Sequence, residues 1–302
     1  MKRLTLGVLT FNDGKYLKEL LDSIDKQGNT NFDLLIIING STDNSSSIIE
    51  NFKNLTHDFE IKLVHNPENY GSFSGTKQLF INATTSYLSI IHGDDLLKSN
   101  YVEVANKYID SNPDICAFNF DLNEIEGGEN IFTGNVIKSG WTKFSAVNRF
   151  LVSGLNPGVM PGAVLNLSKL GRTFLDTEID DIKLNGTEDI LLWQKIIRSS
   201  NKIMRVPISP YYYRRHSNQI SKNFEVYGLS LGCARRVNFL TARNKFERLL
   251  CISEIKYEFS LVNFNKSYLE GLDDIIKYKI FSLFRFINIF IRRFANLINF
   301  CS

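Results

Sequence analysis

Apolar residues in the first 121 positions follow two alternating patterns, one typical of buried strands and one typical of amphipathic helices. Residues 33–38 contain an unbroken Leu-Leu-Ile-Ile-Ile run, as in a strand that is covered on both faces. Residues 15–26 repeat leucine and isoleucine at intervals of three and four positions, which places them on one face of a helix. Together the patterns predict strands at 4–10, 33–38, 61–65, 87–91 and 115–121, and helices at 15–26, 43–52, 74–83 and 100–111.

This alternation of strands and helices, with short connections, predicts an α/β fold with a mainly parallel, doubly wound sheet. Ligands of such folds bind beyond the carboxyl ends of the strands. We therefore expect the loops at 11–14, 39–43 and 92–95 to line one crevice.

The pattern is weaker in the second half of the chain. Four glycines interrupt a polar stretch at 124–140, which predicts an irregular segment. After it, the sequence predicts a helix at 142–152, a loop at 156–162, a strand at 163–166, a helix at 187–200 and strands at 203–206 and 211–215. Beyond residue 221 the chain is predicted to be helical or irregular. We therefore expect one α/β unit at 1–221 and a helical C-terminal extension at 222–302.

Composition excludes several classes of protein. With 43% apolar and 22% charged residues in 302, the chain is not disordered throughout. Its four cysteines are far apart and form no C-x-x-C pair, which favours a reducing compartment over a disulfide scaffold or a zinc site. The segment 4–10 superficially resembles a signal peptide, but it is short and lacks a cleavage site, so a core strand is favoured. There is no run of eighteen apolar residues to indicate a transmembrane span.

The net charge of +3 is concentrated in the last 28 residues, which hold five basic residues, no acid and six phenylalanines. The rest of the chain is close to neutral, so a nucleic-acid partner is not expected. Polar residues at 280–300 recur every three or four positions and predict a basic amphipathic helix at about 275–300. Such a helix can bind an anionic membrane surface, and the alternative is that it packs on the protein or a partner.

The sequence His92-Gly93-Asp94-Asp95 directly follows the predicted strand 87–91. Two adjacent carboxylates repel each other unless a cation or hydrogen-bond donors offset the repulsion. Carboxylate oxygens suit Mg²⁺ or Mn²⁺, so the pair is a candidate metal site. Asp94 and Asp95 should point in different directions, which leaves one direct ligand. A solvated turn that begins the next helix is the alternative.

Two further loops carry candidate binding residues. Asn39-Gly40-Ser41-Thr42-Asp43 offers hydroxyls and backbone N–H groups that suit the polar edge of a nucleotide, although a turn that caps a helix would look similar. Asn69-Tyr70-Gly71 leads to Lys77, which is either a phosphate-binding cation or an ordinary solvated lysine.

Six motifs of this chain, in their order and spacing, resemble those of family 2 glycosyltransferases, which have the GT-A fold. The resemblance rests on Thr10-Phe11-Asn12, the Asn39–Asp43 loop, Asn69-x-Gly71 with Lys77, Gly93-Asp94-Asp95, Glu188-Asp189 and the segment from Tyr213 to Ser221. It covers residues 3–221 and divides them into a nucleotide-binding half, 1–121, and an acceptor-binding half, 122–221.

The resemblance implies a hexosyltransferase-type enzyme that moves a sugar from a nucleotide-diphosphate donor to an acceptor hydroxyl, with inversion at the anomeric carbon. It assigns the base and ribose to four residues: Thr10, Asn12, Asn39 and Asp43. The metal motif, which would carry Mn²⁺ or Mg²⁺, ends in Asp94 and Asp95, with Asp94 as the metal ligand and Asp95 as a donor-binding residue. Asp189 would be the general base, and Glu188 would orient the acceptor or the base. The remaining donor-binding candidates are Gly71, Lys77, Arg214 and Arg215, with His216 bonding a phosphate or ligating the metal.

Glu188-Asp189 and the basic segment 211–216 also have purely structural interpretations. The acids could simply favour the start of a helix, and the basic segment could be an exposed strand edge. The sequence also departs from the family pattern. Asn39 stands where an aspartate is usual, which weakens the assignment of uracil recognition. His92 replaces the leading aspartate of the metal motif, which weakens a metal or ribose role at that position.

The function predicted from these features is an inverting, metal-dependent glycosyltransferase that uses a nucleotide-sugar donor, of UDP type. Its acceptor would be a glycan or a lipid-diphosphate-linked intermediate in O-antigen-like or capsule-like synthesis, with the enzyme bound at the inner face of the cytoplasmic membrane. The alternatives are a non-catalytic sugar-nucleotide-binding or membrane-scaffold protein, and a nucleotidyltransferase. The latter would need a glycine-rich basic loop after the first strand, where this chain has Thr10-Phe11-Asn12-Asp13-Gly14.

Overall fold

A computed structural model describes residues 2–126, 131–137, 160–176, 184–199, 203–217, 219, 224–240 and 272. The strands are β1 (Leu4–Thr10), β2 (Phe32–Asn39), β3 (Ile61–Asn66), β4 (Tyr87–His92), β5 (Leu96–Leu97), β6 (Ala117–Glu126), β7 (Ile131–Ile137), β8 (Val164–Asn166) and β9 (Ile203–Arg215). The helices are α1 (Gly14–Asp25), α2 (Ser45–Lys53), α3 (Gly71–Asn82), α4 (Tyr101–Ser111), α5 (Leu167–Leu170), α6 (Glu188–Ser199) and α7 (Phe224–Leu240).

The strands described form one sheet in the order β3-β2-β1-β4-β8-β6-β9-β5, and β7 pairs with the outer part of β6. The neighbours β3, β2, β1 and β4 are parallel, as predicted, and their carboxyl ends therefore meet at one edge. Among the described strands of the second half, β6 and β9 are the one parallel pair, and β8, β5 and β7 pair antiparallel with their neighbours. The sheet is thus mixed rather than mainly parallel beyond β4.

Both faces of the parallel half are covered, as the apolar run in β2 predicts. Leu35 and Ile37 pack in one hydrophobic cluster with α3 and α6, whereas Ile36 and Ile38 pack in a second cluster with α1, α2 and α4. The apolar face of α1 has almost no exposed surface. Burial of this kind contributes on the order of 25 cal/mol per Å² of apolar surface and fixes the strand ends that form the crevice.

Two predictions for the second half are wrong. The segment predicted to be irregular at 124–140 contains the end of β6 and the strand β7, which pair with each other. The strands predicted separately at 203–206 and 211–215 are one strand, β9, which runs through Pro207 and Pro210 with a register shift against β6. In both places backbone pairing to β6 supplies order that local sequence does not indicate, because glycine and proline are ordinarily read as strand breakers.

The predicted helical extension begins with α7, whose residues share a cluster with α6. The helices predicted at 142–152 and 275–300 lie outside the described residues. Among the described helices, none has both the length and the apolar character needed to span a membrane.

Candidate active site

The loops after β1 and β2 hold each other through Asn12. Its side-chain Oδ1 accepts the backbone N–H of Thr42 at 2.8 Å, and its own N–H donates to Ser41 Oγ at 3.1 Å. Asn12 has a φ of +55°, which asparagine tolerates better than most residues. The predicted base and ribose loops are therefore one hydrogen-bonded unit.

Asp43 ties the same unit to α1. Its Oδ2 accepts the N–H of Gly14 at 2.9 Å, and its Oδ1 accepts the N–H of Ser45 at 3.0 Å. Although burial opposes the charged form, the bonds from Ser45 and Gly14 hold the pKa of Asp43 below its usual value. Asp43 is therefore a charged anchor in the crevice.

Asn39 is 2% exposed at the end of β2 and uses its amide within the protein. Its Nδ2 donates to Asn69 Oδ1 at 3.0 Å and to the carbonyl of Gly71 at 3.1 Å, and its Oδ1 accepts from Asn66 Nδ2 at 2.8 Å. Gly71 has a φ of +86°, and a Cβ there would lie 2.0 Å from Asn185 Oδ1. Asn39 thus organises the loop at Gly71, and its contact with a base stays a prediction.

Asp94 and Asp95 point to different partners, as predicted. Asp95 is fully buried, and its two oxygens accept the N–H of Arg214 at 2.8 Å and the hydroxyl of Tyr211 at 2.7 Å. Asp94 is half-buried, and its Oδ2 lies 2.8 Å from Nε2 of His216. The end of β9 and the residue that follows it, His216, therefore hold both carboxylates.

The two carboxyls differ in electrostatics. Burial, with the nearby charge of Asp94, raises the pKa of Asp95 well above its usual value. Burial also disfavours the charged form of Asp94, but the His216 bond and the proximity of His92 outweigh it and lower its pKa. Asp94 is thus the carboxylate that stays ionised, which suits a metal ligand.

Arg214 was predicted to bind the diphosphate, but in the structure its side chain is buried and bonds the Gly-Asp-Asp loop. Its side chain has no exposed surface. Its guanidinium donates to the carbonyl of Asp94 at 2.7 Å and to Glu19 Oε2 at 2.7 Å, and it lies 4.7 Å from the ring centre of Tyr16. Arg214 links α1 to the loop, and a direct phosphate contact stays a prediction.

The other predicted cations lie on separate surfaces. Arg215 is 41% exposed and donates from Nε to Glu124 Oε2 at 2.9 Å. Lys77 forms an ion pair of 3.5 Å with Asp176 on the side of α3 that faces α6. Neither contact tests a role in diphosphate binding, so both roles stay predictions.

Asp13 was not singled out from the sequence, yet it lies against the metal motif. Its Oδ2 accepts the hydroxyl of Thr10 at 2.9 Å, and a Cβ on Gly93 would lie 2.3 Å from the same oxygen. Burial, together with the nearby charge of Asp94, raises the pKa of Asp13 to about 7. Gly93 is required here because the Asp13 carboxyl fills the space of a side chain.

The acidic pair at the start of α6 is joined to the start of α3. Glu188 is 8% exposed, and its Oε2 accepts the hydroxyl of Ser72 at 2.8 Å and the N–H of Gly186 at 2.9 Å. Burial, and then the charge of Asp189, raise the pKa of Glu188 to about 7. Asp189 is half-buried beside it, so the residue proposed as the base is the more accessible of the two.

Ser72 and Asn185 are site residues that sequence reasoning missed. Asn185 Oδ1 accepts the N–H of Ser72 at 3.0 Å. Asn185-Gly186 lies one residue before Glu188 in the chain, which is a faint signal, but no local pattern indicates the contact with Ser72, 113 residues away from Asn185.

The donor set at the end of β4 fits a divalent cation. One ligand atom from each of His92, Asp94 and Asp95 lies within 4.8 Å of the others. One imidazole nitrogen and carboxylate oxygens are ligands that Mn²⁺ and related ions accept. The structure therefore brings His92 into the candidate metal site, where the sequence had favoured it less.

The family model for glycosyl transferase family 2 matches residues 5–166, which span β1 to β8. The chain belongs to this family. Glycosyltransferase GlyA of Streptococcus pneumoniae is 26% identical over 292 residues, which are 93% of this chain and 40% of GlyA. Abequosyltransferase RfbV of Salmonella typhimurium is 33% identical over 108 residues, 35% of this chain and 32% of RfbV. The matched part of this chain therefore spans less than half the length of these relatives.

Solved structures confirm the predicted GT-A fold. TarS residues 1–349 of S. aureus, in complex with UDP-GlcNAc, superpose with a TM-score of 0.66 at 17% identity, covering 87% of this chain and 74% of that one. The mannosyltransferase PcManGT from Pyrobaculum calidifontis, in complex with GDP-Man and Mn²⁺, gives a TM-score of 0.56 at 13% identity, covering 87% and 76%.

Proposed function

We propose that this glycosyltransferase moves a sugar, with inversion, from a UDP-sugar to a hydroxyl of a glycan or lipid-linked acceptor in cell-surface polysaccharide synthesis. The UDP-GlcNAc complex of TarS and the glycosyltransferase names of the relatives support the donor class and the type of pathway. The chemistry of the crevice supports the reaction.

One observation carries the proposal: hydrogen bonds made by two adjacent residues at the start of α3 join the donor loops to the acidic pair. They run from Asn39 to the carbonyl of Gly71, and from the next residue, Ser72, to Glu188. Because β1 to β4 are parallel, their ends and these bonds lie at the same edge of the sheet. A donor on these loops and a base on α6 would therefore face each other.

In this proposal Thr10, Asn12, Asn39 and Asp43 form the base and ribose site. The structure supports an organising role for Asn12 and Asn39, and Asp43 brings a fixed negative charge that suits a ribose hydroxyl. Arg215 remains the candidate cation for the diphosphate on β9 because 41% of its side chain is exposed, whereas Arg214 supports the loop.

Asp94 and His216 would hold Mn²⁺ or Mg²⁺, with Asp95 fixed behind them. When bound, the ion stabilises the negative charge that develops on the departing diphosphate. Asp95 keeps the loop in place through Tyr211 and the backbone of Arg214.

The acceptor hydroxyl is a poor nucleophile, and Asp189 takes its proton as the oxygen attacks the anomeric carbon. The new bond joins that oxygen to the sugar, and the bond between the anomeric carbon and the phosphate oxygen breaks, its electron pair leaving with UDP. Glu188, locked by Ser72 and Gly186, fixes the start of α6 and so the position of its neighbour.

Titration calorimetry and turnover test this function together. We expect UDP to bind more tightly with Mn²⁺ than without it, and Asp189→Asn to bind Mn²⁺ and UDP normally while transferring no sugar. Glu103→Gln, which removes an acid from the first turn of α4, is the control and should turn over normally. UDP binding with no transfer by the native chain to any of a panel of lipid-diphosphate acceptors would favour a non-catalytic protein.

The membrane association and the C-terminal helix at 275–300 are part of the proposal and rest on sequence alone. Removing residues 275–302 should release the protein from vesicles that contain anionic lipid and leave transfer to a soluble acceptor intact. Unchanged vesicle binding would assign the segment a structural role.

A further inference from the structure

His92 ends β4 at the position where the family resemblance leads us to expect an aspartate. A ligand atom of its imidazole lies within 4.8 Å of ligand oxygens of Asp94 and Asp95. Bonds of about 2.2 Å to one ion keep ligand atoms about 3–4.4 Å apart, so small rotations of the His92 and Asp94 side chains would bring their ligand atoms onto a common ion. Asp95 stays behind them, held by Tyr211 and the backbone of Arg214.

The imidazole of His92 is available for a ligand. Its backbone N–H donates to the hydroxyl of Tyr211 at 3.3 Å, but neither ring nitrogen bonds a residue in the described part of the chain. His57 provides a contrast, because both of its ring nitrogens are bonded, to Asp25 at 2.9 Å and to the carbonyl of Phe52 at 2.7 Å. His57 is held in place as a structural residue, whereas the His92 ring faces two carboxylates.

We propose that His92 is a nitrogen ligand of the metal and shifts the preference of the site from Mg²⁺ toward transition ions such as Mn²⁺ and Co²⁺. Mg²⁺ prefers oxygen ligands in a strict octahedron, whereas imidazole binds first-row transition ions well. An aspartate here would add a negative oxygen ligand and favour Mg²⁺. The inference rests on the proposed metal-dependent function and specifies which ion that function uses.

Pulsed electron paramagnetic resonance of the Mn²⁺–UDP complex tests the nitrogen ligand without measuring turnover. The chain contains only four histidines, at 57, 65, 92 and 216, so with a tag-free protein any imidazole coupling comes from one of them. We expect ¹⁴N coupling in the native chain and its replacement by ¹⁵N coupling in protein labelled at histidine. His216→Gln, which leaves His92 intact, should keep imidazole coupling.

Competition between ions tests the selectivity. The Mg²⁺ concentration that displaces half of the bound Mn²⁺ should fall at least tenfold in His92→Asp. His65→Gln should match the native chain, because His65 pairs with Glu50 at 3.2 Å on an exposed surface.

The outcomes separate this inference from the function on which it rests. Loss of all imidazole coupling in His216→Gln, or an unchanged ion ratio in a folded His92→Asp, would overturn the role of His92 while the metal-dependent function stands. Failure of the native chain to bind Mn²⁺ in the presence of UDP would overturn the metal dependence itself.

Discussion

The hydroxyl of Ser72, in the first turn of α3, donates a 2.8 Å hydrogen bond to Oε2 of Glu188, in the first turn of α6. The two residues are 116 positions apart, and the bond is half-buried. It joins the half of the sheet proposed to bind the donor to the helix proposed to carry the base. The Ser72–Glu188 contact therefore helps to set the relative position of the two helices.

Replacing Ser72 with alanine should change the pH profile of transfer. The hydroxyl stabilises the Glu188 carboxylate, whose pKa is about 7, so its loss should raise that pKa further. The loss of one hydrogen bond corresponds to a rise of about 0.5–1 in the pKa of Glu188. The acidic limb of the kcat/KM profile should therefore move to higher pH by the same amount. We expect kcat to fall about tenfold, with UDP affinity nearly unchanged.

Ser47→Ala is the matched control, because Ser47 is also in the first turn of a helix but is exposed and bonds only the carbonyl of Asn44 among the contacts described. Its pH profile should match that of the native chain. An unshifted profile in Ser72→Ala would remove Glu188 from the ionisations that control turnover.

Glu188 should also make the stability of the protein depend on pH. Its pKa is about 7 in the folded chain and 4.5 as the reference value, so the folded state binds the proton more tightly. Its contribution is therefore complete below pH 4.5 and is lost as the pH rises through 7. Glu188→Gln should not show this loss. Between pH 5 and pH 8 its free energy of unfolding should therefore rise by about 1–3 kcal/mol relative to that of the native chain.

Urea unfolding at pH 5 and at pH 8 measures the free energies of unfolding of Glu188→Gln and of the native chain. Glu103→Gln, in the first turn of α4, should show the same dependence on pH as the native chain. Parallel curves for Glu188→Gln and the native chain would show that the folded protein keeps Glu188 ionised at a normal pKa.

The ion pair between Glu19 and Arg214 should contribute more to the free energy of unfolding than the exposed Asp22–Lys18 pair on the same helix, α1. Arg214 is fully buried, so Glu19→Ala leaves a buried charge with one partner fewer. Because Glu19 is itself 39% exposed, we expect a loss of about 1–3 kcal/mol in the free energy of unfolding, less than for a fully buried pair. Asp22→Ala breaks the exposed pair with Lys18 and should cost less than about 0.5 kcal/mol. Equal losses would mean that water screens Arg214.

Local sequence pattern predicts the parallel half of the sheet well, because each strand and helix there buries its own apolar face. The rule that ligands bind at the carboxyl ends of strands then indicates the correct edge. The pattern fails for β7 and β9, whose order comes from pairing with β6. It also fails for the orientation of Arg214, because Glu19 lies 195 positions away and composition does not show which partner a cation selects.

Alanine substitutions at two glycines, Gly162 and Gly171, test the contact between Tyr211 and the loop that precedes β8. Gly162 and Gly171 have φ values of +71° and +84°, so alanine at either is strained by about 1–3 kcal/mol, and at Gly171 the ψ of 155° lies in a region essentially restricted to glycine. At Gly171 a Cβ meets nothing within 4 Å, whereas at Gly162 it would lie 2.8 Å from Cδ2 of Tyr211. Tyr211 cannot easily yield, because its hydroxyl is bonded to Asp95.

Gly162→Ala should therefore lose about 1–3 kcal/mol in the free energy of unfolding beyond its backbone strain, as expected for an overpacked core. It should also weaken binding of Mn²⁺ with UDP, because movement of Tyr211 disturbs the Asp95 side of the Gly-Asp-Asp loop. Gly171→Ala should bind both normally. Unchanged binding of Mn²⁺ and UDP in a folded Gly162→Ala would show that the ring of Tyr211 moves freely and that the loop does not depend on its position.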